Sequence, residues 1–201
     1  LFASYANFNA TLGKNNLDVL AGYSWQNNFV STRSVSYFNI TDEVKLKGGL
    51  TEDEMYPRIT SENFLVSFYG RINYSFDSRY VFTFSIRGDG SSKFAPDQRW
   101  GVFPSGAFAW NIAQEDFMKE APQVSTMKLR LSAGVTGQQD GIGDYVRFAR
   151  YTSSSDPYHV VNMGNGAWIY PLWPLSYDPV IKWETTVTYN AGLDFGFFKD
   201  R

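Results

Sequence analysis

WETTVTYNAGLDFGF, residues 183–197, alternates without exception. Trp183, Thr185, Val187, Tyr189, Ala191, Leu193, Phe195 and Phe197 fall on one side. Glu184, Thr186, Thr188, Asn190, Gly192, Asp194 and Gly196 fall on the other. A strand points successive side chains to opposite faces, so this stretch builds one apolar wall and one polar wall. Fifteen residues at about 3.3 Å each extend roughly 50 Å, against a usual strand of about 5–6 residues. A tilted strand crosses a bilayer in about 9–11 residues. Length and two-faced pattern together predict a membrane-spanning β-barrel with a wet interior.

The same alternation recurs along the chain. The first segment, Leu1 to Leu12, places Phe2, Ala6, Phe8, Ala10 and Leu12 on one face, and Gly13-Lys14-Asn15-Asn16 reads as a tight turn. Leu17, Val19, Ala21, Tyr23 and Trp25 follow in register. A polar stretch from Gln26 to Ser61 carries one short helical signal at Thr51-Glu52-Asp53-Glu54. The third strand sets Phe64, Val66, Phe68, Gly70, Ile72, Tyr74 and Phe76 against Ser67, Arg71, Asn73 and Ser75, with Leu65 and Tyr69 interrupting the polar side. Asp77-Ser78-Arg79 turns the chain into Tyr80, Phe82, Phe84 and Ile86, opposed by Thr83, Ser85 and Arg87.

Gly88 to Ser92 reads as a loop, and a fifth strand carries Trp100, Val102, Gly106, Phe108 and Trp110, weakened by Pro104 and Gly106. Gln114 to Glu120 reads as a short helical connection. Met127, Leu129, Leu131, Ala133 and Val135 form the sixth wall against Lys128, Arg130, Ser132 and Thr136. A long excursion from Gly137 to Lys182 precedes the last strand. Inside it, Asn165-Gly166 between Val160-Val161 and Trp168-Ile169 is a hairpin signal.

The predicted fold is all-β: about seven long antiparallel strands of a transmembrane β-barrel with long extracellular loops. Asp18, Arg71, Arg87, Lys128, Arg130, Glu184 and Asp194 all lie opposite the apolar wall. That placement suits a wall facing hydrocarbon, where Arg or Lys at the midplane costs about 2–4 kcal/mol. The residues expected to face lipid include Phe64, Phe68, Phe82, Phe84, Leu129, Leu131, Val187, Tyr189, Leu193 and Phe195. Aromatics gather near strand ends, with Tyr74, Phe76 and Tyr80 at one turn and Trp25, Phe64, Trp100 and Trp183 bordering the opposite loops. Barrels carry such girdles, with short turns on the periplasmic side and long loops outside. Seven strands are too few to close a wide barrel, so residues 1–201 are expected to be a segment of one larger barrel domain.

Composition narrows the alternatives. There is no cysteine, which removes disulfide frameworks and thiolate zinc sites, and the net charge of −2 gives no basic surface for nucleic acid. No run reaches the roughly 18 consecutive apolar residues of a transmembrane helix. Two other architectures share part of the pattern: a passive porin, and a soluble glycan-binding β-sandwich, whose strands would be about half as long.

Several motifs resemble a known family. Arg87-Gly88-Asp89-Gly90-Ser91-Ser92-Lys93-Phe94 is similar to the R-x-D-G-S-S-[RK]-F segment of SusC/RagA-type TonB-linked outer-membrane transporters of Bacteroidetes. Arg99-Trp100-Gly101-Val102-Phe103-Pro104-Ser105, Trp110 and Glu115-Asp116-Phe117-Met118 resemble the segment that follows. Leu129-Arg130 and Gly134 to Gly143 resemble the G-x-T-G-N-Q-D-G-I-G run, with Gln138 where Asn is common. Lys182-Trp183-Glu184-Thr185-Thr186 and Asn190-Ala191-Gly192-Leu193-Asp194 match K-W-E-T-T and N-x-G-L-D. These motifs span about Asn63 to Arg201.

The resemblance implies a large plugged barrel in the cell outer membrane, energised by TonB and working with a SusD-like surface lipoprotein to import oligosaccharides or peptides. The plug and the TonB-contacting N-terminal region are expected to lie outside this chain. No cofactor is implied.

Enzymatic chemistry has little to work with. His159 is the single histidine, so a His-based metal cluster is excluded and a Ser/His/Asp triad would rest on one loop residue. Asp140 and Asp144 could enter a calcium loop, but EF-hand spacing is missing and turn formation is the better reading. Asp89 between two glycines reads as an Asx-type turn. For ligand or partner contact, the aromatics Tyr158, Trp168, Tyr170, Trp173 and Tyr177 of the last excursion stand out, since flat rings stack on sugars and anchor interfaces; packing of the loop on itself would use them too. Arg71, Arg87, Asp89, Lys128, Arg130 and Glu184 are expected to face the lumen, either tuning what passes or hydrogen-bonding one another and the plug.

Overall fold

The computed structural model describes residues 1–33, 58–120, 123–153, 161–162, 164, 168–169 and 171–198. Six long strands come first: β1 (Phe2–Leu12), β2 (Asn15–Thr32), β3 (Ile59–Phe76), β4 (Tyr80–Ser91), β5 (Trp100–Asn111) and β6 (Val124–Gln138). Short pieces follow in the long excursion: β7 (Tyr151–Ser153), β8 (Val161–Asn162), β9 (Trp168–Ile169) and β10 (Leu172–Pro174). The last long strand is β11 (Glu184–Phe197). The seven long strands form one antiparallel sheet in the order β1-β2-β3-β4-β5-β6-β11. Each long strand pairs with the next long strand along the chain, the meander of an up-and-down barrel wall. β1 and β11 are its two edges, so the described sheet is open, as expected of a slice of a larger barrel.

Register converts the alternation of single strands into two continuous surfaces. Tyr189 lies opposite Ala133, Gly106 opposite Ala133 and Phe84, Ile72 opposite Phe84 and Val19, and Phe8 opposite Val19. Directly paired residues share a face, so this row and its neighbours place all ten expected lipid-facing residues on one side. The next row places Thr188, Gly134, Ser105, Ser85 and Arg71 together on the other side. The large apolar side chains of the first surface are exposed in the isolated sheet, among them Phe68, Phe84, Val187 and Tyr189, as a wall awaiting hydrocarbon must be.

The two ends of the sheet differ. At one end β1 and β2 are joined by Gly13-Lys14 alone, Gly13 supplying the left-handed residue (φ +60°) of a two-residue hairpin. At the same end the Arg79 N–H donates to the Phe76 carbonyl (2.9 Å) across Asp77 and Ser78, both at positive φ. Such a primed turn matches the twist of the strands it joins. Two 3-10 turns, Ile112–Gln114 and Asp116–Glu120, connect β5 to β6 here. The long connections leave from the opposite end. Stacked rings mark both: Phe76–Tyr80, Tyr80–Trp110 and Tyr74–Phe82 at the short-turn end, Trp25–Phe64 and Phe68–Trp100 at the other.

Three sequence expectations change. The polar stretch after Trp25 is not all connection, because β2 continues to Thr32 and pairs with β3 as far back as Ile59. Gly88 to Ser91 is strand rather than loop, with Asp89 paired to Ser67 and Gly101 in the ladder, so Asp89 makes no Asx turn. Trp183 stands just outside β11. Its ring packs on Phe94 (4.8 Å between centroids) and edge-on to Phe103 (5.3 Å), and its Nε1 donates to the Arg99 carbonyl (2.9 Å). Phe103 lies opposite Arg87 on the polar side, so Trp183 does not belong to the apolar wall. The strands flanking the expected Asn165-Gly166 hairpin do pair, β8 with β9, while Asn165 and Gly166 themselves lie outside the described residues. The Thr51–Glu54 helical signal falls outside the described residues.

Candidate functional site

The polar surface is the candidate site, and its composition changes along the strands. In the short-turn half of the sheet, short polar side chains bond across the ladders. The Asn73 amide donates to Asp18 (3.2 Å), the Thr83 hydroxyl donates to Asn73 (2.9 Å), and the Ser85 and Ser105 hydroxyls share a 2.6 Å bond. Toward the short-turn end, Arg130 donates to Asp194 (2.7 Å). These two residues are diagonal neighbours, since Arg130 faces Gly192 and Asp194 faces Lys128 in the register. The guanidinium lies over Gly192, its Nη2 3.5 Å from where a Cβ would stand, an ordinary contact distance.

Toward the long-loop end, Arg87 organises the surface. Its Nε donates to both oxygens of Asp89 (2.7 and 2.8 Å), and its Nη2 donates to Ser67 (2.9 Å). Arg87 and Asp89 are two apart in one strand and therefore share a face. The guanidinium also lies over the Tyr69 ring, 5.8 Å from its centroid, and that ring in turn covers Gly22. Asp89 and Ser67 are buried while Arg87 stays half exposed. Thus Arg87, Asp89 and Arg130 form ion pairs within the wall. Arg71 shares the polar face, between Leu20 and Ser85, and Glu184 stands at its outer end opposite Gln138. All six expected lumen residues share one surface.

Of the buried residues among those described, Asn63, Ser67, Asp89, Ser91, Phe94, Ala95 and Phe103 gather at the rim of the long-loop end, and Ile112 alone lies at the short-turn end. Asp144 is its polar centre: its Oδ1 accepts from Asn63 (3.0 Å) and lies 3.4 Å from Lys93 Nζ, while the Ser61 hydroxyl meets Oδ2. Lys93 also donates to the Ile142 carbonyl (2.9 Å). An ammonium and an amide therefore occupy Asp144, and the turn it serves is a tied one. Sequence reasoning did not single out Lys93, Asn63 or Trp183 as rim ties. A signal was available in the polar Asn63 heading an apolar strand and in the Lys93-Phe94 pair closing a glycine-rich run.

Of the excursion aromatics, Trp173 and Tyr177 are about half exposed, and Trp168 belongs to β9. Tyr158, Tyr170 and His159 lie outside the described residues. The short-turn end has its own hub in Glu115. Its Oε1 accepts from the Tyr80 hydroxyl (2.6 Å) and from Trp110 Nε1 (2.9 Å), and its Oε2 from Arg79 (3.1 Å). These donors, the Tyr80 hydroxyl first, hold the Glu115 carboxyl below its ordinary value. Two rings of the apolar wall thus turn their polar tips to one carboxylate, as interfacial aromatics do.

Comparison with known proteins agrees with this geometry. The family model described as "TonB dependent receptor-like, beta-barrel" matches residues 2–201. The chain is 40% identical over 210 residues to the TonB-dependent receptor SusC of Bacteroides thetaiotaomicron, and 38% identical over 212 residues to the TonB-dependent receptor P3 of Formosa agariphila. Those alignments cover 98% and 100% of this chain but 19% and 20% of the relatives, so it spans about a fifth of their length. Among solved structures, the RagAB peptide transporter superposes with a TM-score of 0.77 at 27% identity, over 99% of this chain and 22% of that one. The open-open state of the RagAB peptide importer gives 0.76 at 25% identity, over 99% and 21%. A seven-stranded meander with one apolar and one polar face, matched along its whole length, belongs to the TonB-dependent receptor β-barrel family of the outer membrane, of the SusC/RagA type.

Proposed function

We propose that this chain supplies barrel wall, lumen surface and outer loops to a TonB-dependent importer of oligosaccharides or peptides. In this reading residues 1–201 are one segment of a single barrel domain, and plug and TonB contact come from other parts of the same protein. A SusD-like surface lipoprotein captures the nutrient with it. The wall performs no chemistry on the cargo, and its work is passage. The observation that carries the reading is the segregation of charge. Arg71, Arg87, Asp89, Lys128, Arg130 and Glu184 share one face of a sheet whose other face is exposed Phe, Val, Leu and Tyr. Arg71, Lys128 and Glu184 make no ion pair among the described residues, and the first two are the cations left to meet an anionic or hydroxyl-rich cargo. The aromatics Tyr158, Trp168, Tyr170, Trp173 and Tyr177 are the candidates for cargo or partner contact outside.

The test is uptake by cells carrying the full-length protein, over a panel of labelled oligosaccharides and peptides. Uptake of at least one class is expected to require both the gene and the proton-motive force. Uptake that persists after the proton gradient is collapsed would make the protein a passive porin.

A further inference from the structure

The long excursion between β6 and β11 leaves and returns along the same path. Outgoing residues 144–153 run beside incoming residues 172–183. Pro174 pairs with Tyr151, Trp173 with Thr152 and Leu172 with Ser153. Below them, the Leu175 N–H donates to the Arg150 carbonyl (2.8 Å) and the Asp178 N–H to the Val146 carbonyl (2.9 Å). The two limbs form a stalk, and both of its feet stand on one short connection, residues 92–99 between β4 and β5. The outgoing foot is Asp144 on Lys93, with Lys93 also holding the Ile142 carbonyl. The returning foot is Trp183, its ring packed against Phe94 and its Nε1 bonded to the Arg99 carbonyl.

The outgoing foot reaches further. Asn63 donates to Asp144 and accepts from Asn28 (3.0 Å), and the Tyr145 hydroxyl accepts from the Glu62 N–H (3.2 Å). β2 and β3 are thereby tied to the same point. Burial sets this cluster apart from a surface ion pair, because the side chains of Lys93 and Asp144 are only 13% and 11% exposed. An exposed pair is screened and adds little, whereas a buried one leaves an uncompensated charge when either partner goes. The stalk therefore has a firm base, while the side chains it carries outward, Tyr151, Leu172, Trp173 and Tyr177, are exposed.

We propose that Lys93, Asp144 and Trp183 form a two-point base fixing the stalk on the outer rim, and that Asp144 is thereby a positioning residue for cargo capture. The second half rests on the import reading above. The first half does not.

Hydrogen–deuterium exchange of the full-length protein in detergent separates the two. In Asp144→Ala the amides of residues 139–153 and 171–183 are expected to exchange about ten- to a hundredfold faster, the loss of bonds to a charged group. Those of β4 to β6 away from the rim should stay at the wild-type rate. The charge swap Lys93→Asp with Asp144→Lys should recover part of the protection, and Asp140→Asn, an exposed neighbour outside the base, should change nothing. In cells, Asp144→Ala should raise the half-saturating cargo concentration several-fold with the maximal rate unchanged. Wild-type exchange in Asp144→Ala, or acceleration spread evenly through β4 to β6, overturns the base. Faster stalk exchange with unchanged half-saturation overturns the positioning role alone. Should Asp144→Ala fail to reach the membrane, Lys93→Met is measured in its place against the same outcomes. A wild-type protein that imports nothing fails the import reading instead, and the exchange data still decide the base.

Discussion

Phe84→Arg tests the wall directly. Phe84 lies in the middle of β4, opposite Ile72 on one side and Gly106 on the other, with its side chain on the apolar surface and the residue 51% exposed in the isolated sheet. Tyr80, which bonds Glu115 at the short-turn boundary, is four residues away. Four residues at about 3.3 Å, tilted by about 45°, place Phe84 roughly 9 Å inside that boundary. The apolar band of a barrel is about 25 Å tall, so the new guanidinium would sit near its middle, where Arg costs about 2–4 kcal/mol. At about 1.4 kcal/mol per decade, the folding equilibrium in lipid should fall by about 30- to 1000-fold. Leu193→Arg lies nearer the aromatic boundary, two pairings from Trp110 through Leu129, where the cost drops toward about 0–1 kcal/mol. Thr188→Arg, on the polar face opposite Gly134, should cost least. The assay is denaturant unfolding of the full-length protein in lipid vesicles, with recovery in the outer membrane as the cellular counterpart. Equal stability of Phe84→Arg and Thr188→Arg would refute the assignment of faces.

Three further outcomes follow from local geometry. Gly137→Ala would put a Cβ 2.0 Å from Phe103 Cζ, so overpacking of about 1–3 kcal/mol is expected; Phe103→Leu in the same protein should relieve it, as read by unfolding in lipid. Asp194→Asn should cost at most about 0.2–1 kcal/mol, since the Arg130–Asp194 pair is half exposed, and the residual effect should vanish at high salt. Glu115 has a depressed pKa, led by its bond from Tyr80, so its contribution is complete above its unfolded value and lost as pH falls through the lower folded one. Stability measured from neutral pH down into the acid range should therefore fall less steeply in Glu115→Gln than in the wild type.

What could be read in advance followed from where the solvent differs across the sheet. Between the girdles one face meets hydrocarbon and the other water, and that asymmetry writes a period of two into Tyr189, Val187 and Phe84 alike. Beyond Trp25 both faces are wet, so Gln26 to Thr32 shows no alternation although it pairs residue by residue with Ile59 to Leu65. Its partners Thr60 to Asn63 are polar, with the Asn27 amide donating to Glu62 and that of Asn28 to Asn63. Gly88 and Gly90 misled for a different reason. Glycine between polar residues ordinarily marks a turn, but here the Trp100 indole lies over Gly90, 2.9 Å from where a Cβ would stand, and stacks on Phe68. A ring laid across a strand glycine restores the cover that its missing side chain would have given. The six charges of the polar face could be placed by parity, but their partners could not. Arg87 with Asp89 follows from same-face spacing, while Arg130 with Asp194 depends on the β6–β11 register.

The two physical regimes of the sheet also assign its stability to different places. Along the wall the isolated sheet buries almost nothing, and its large apolar side chains stand exposed. At the rim Phe94 is fully buried against Trp183, which Phe103 meets edge-on, and Lys93, Asn63 and Asp144 satisfy one another away from solvent. That is the packing of a small soluble core mounted on the end of a membrane sheet. Substitutions in the wall should therefore report on insertion and leave the rim's local exchange unchanged once the protein is assembled. Substitutions at the rim should do the reverse. A wall variant such as Phe84→Arg that assembles poorly, yet shows wild-type exchange at residues 139–153 in its assembled fraction, is the outcome this division requires; coupled loss at both places would show that the rim borrows its order from the membrane.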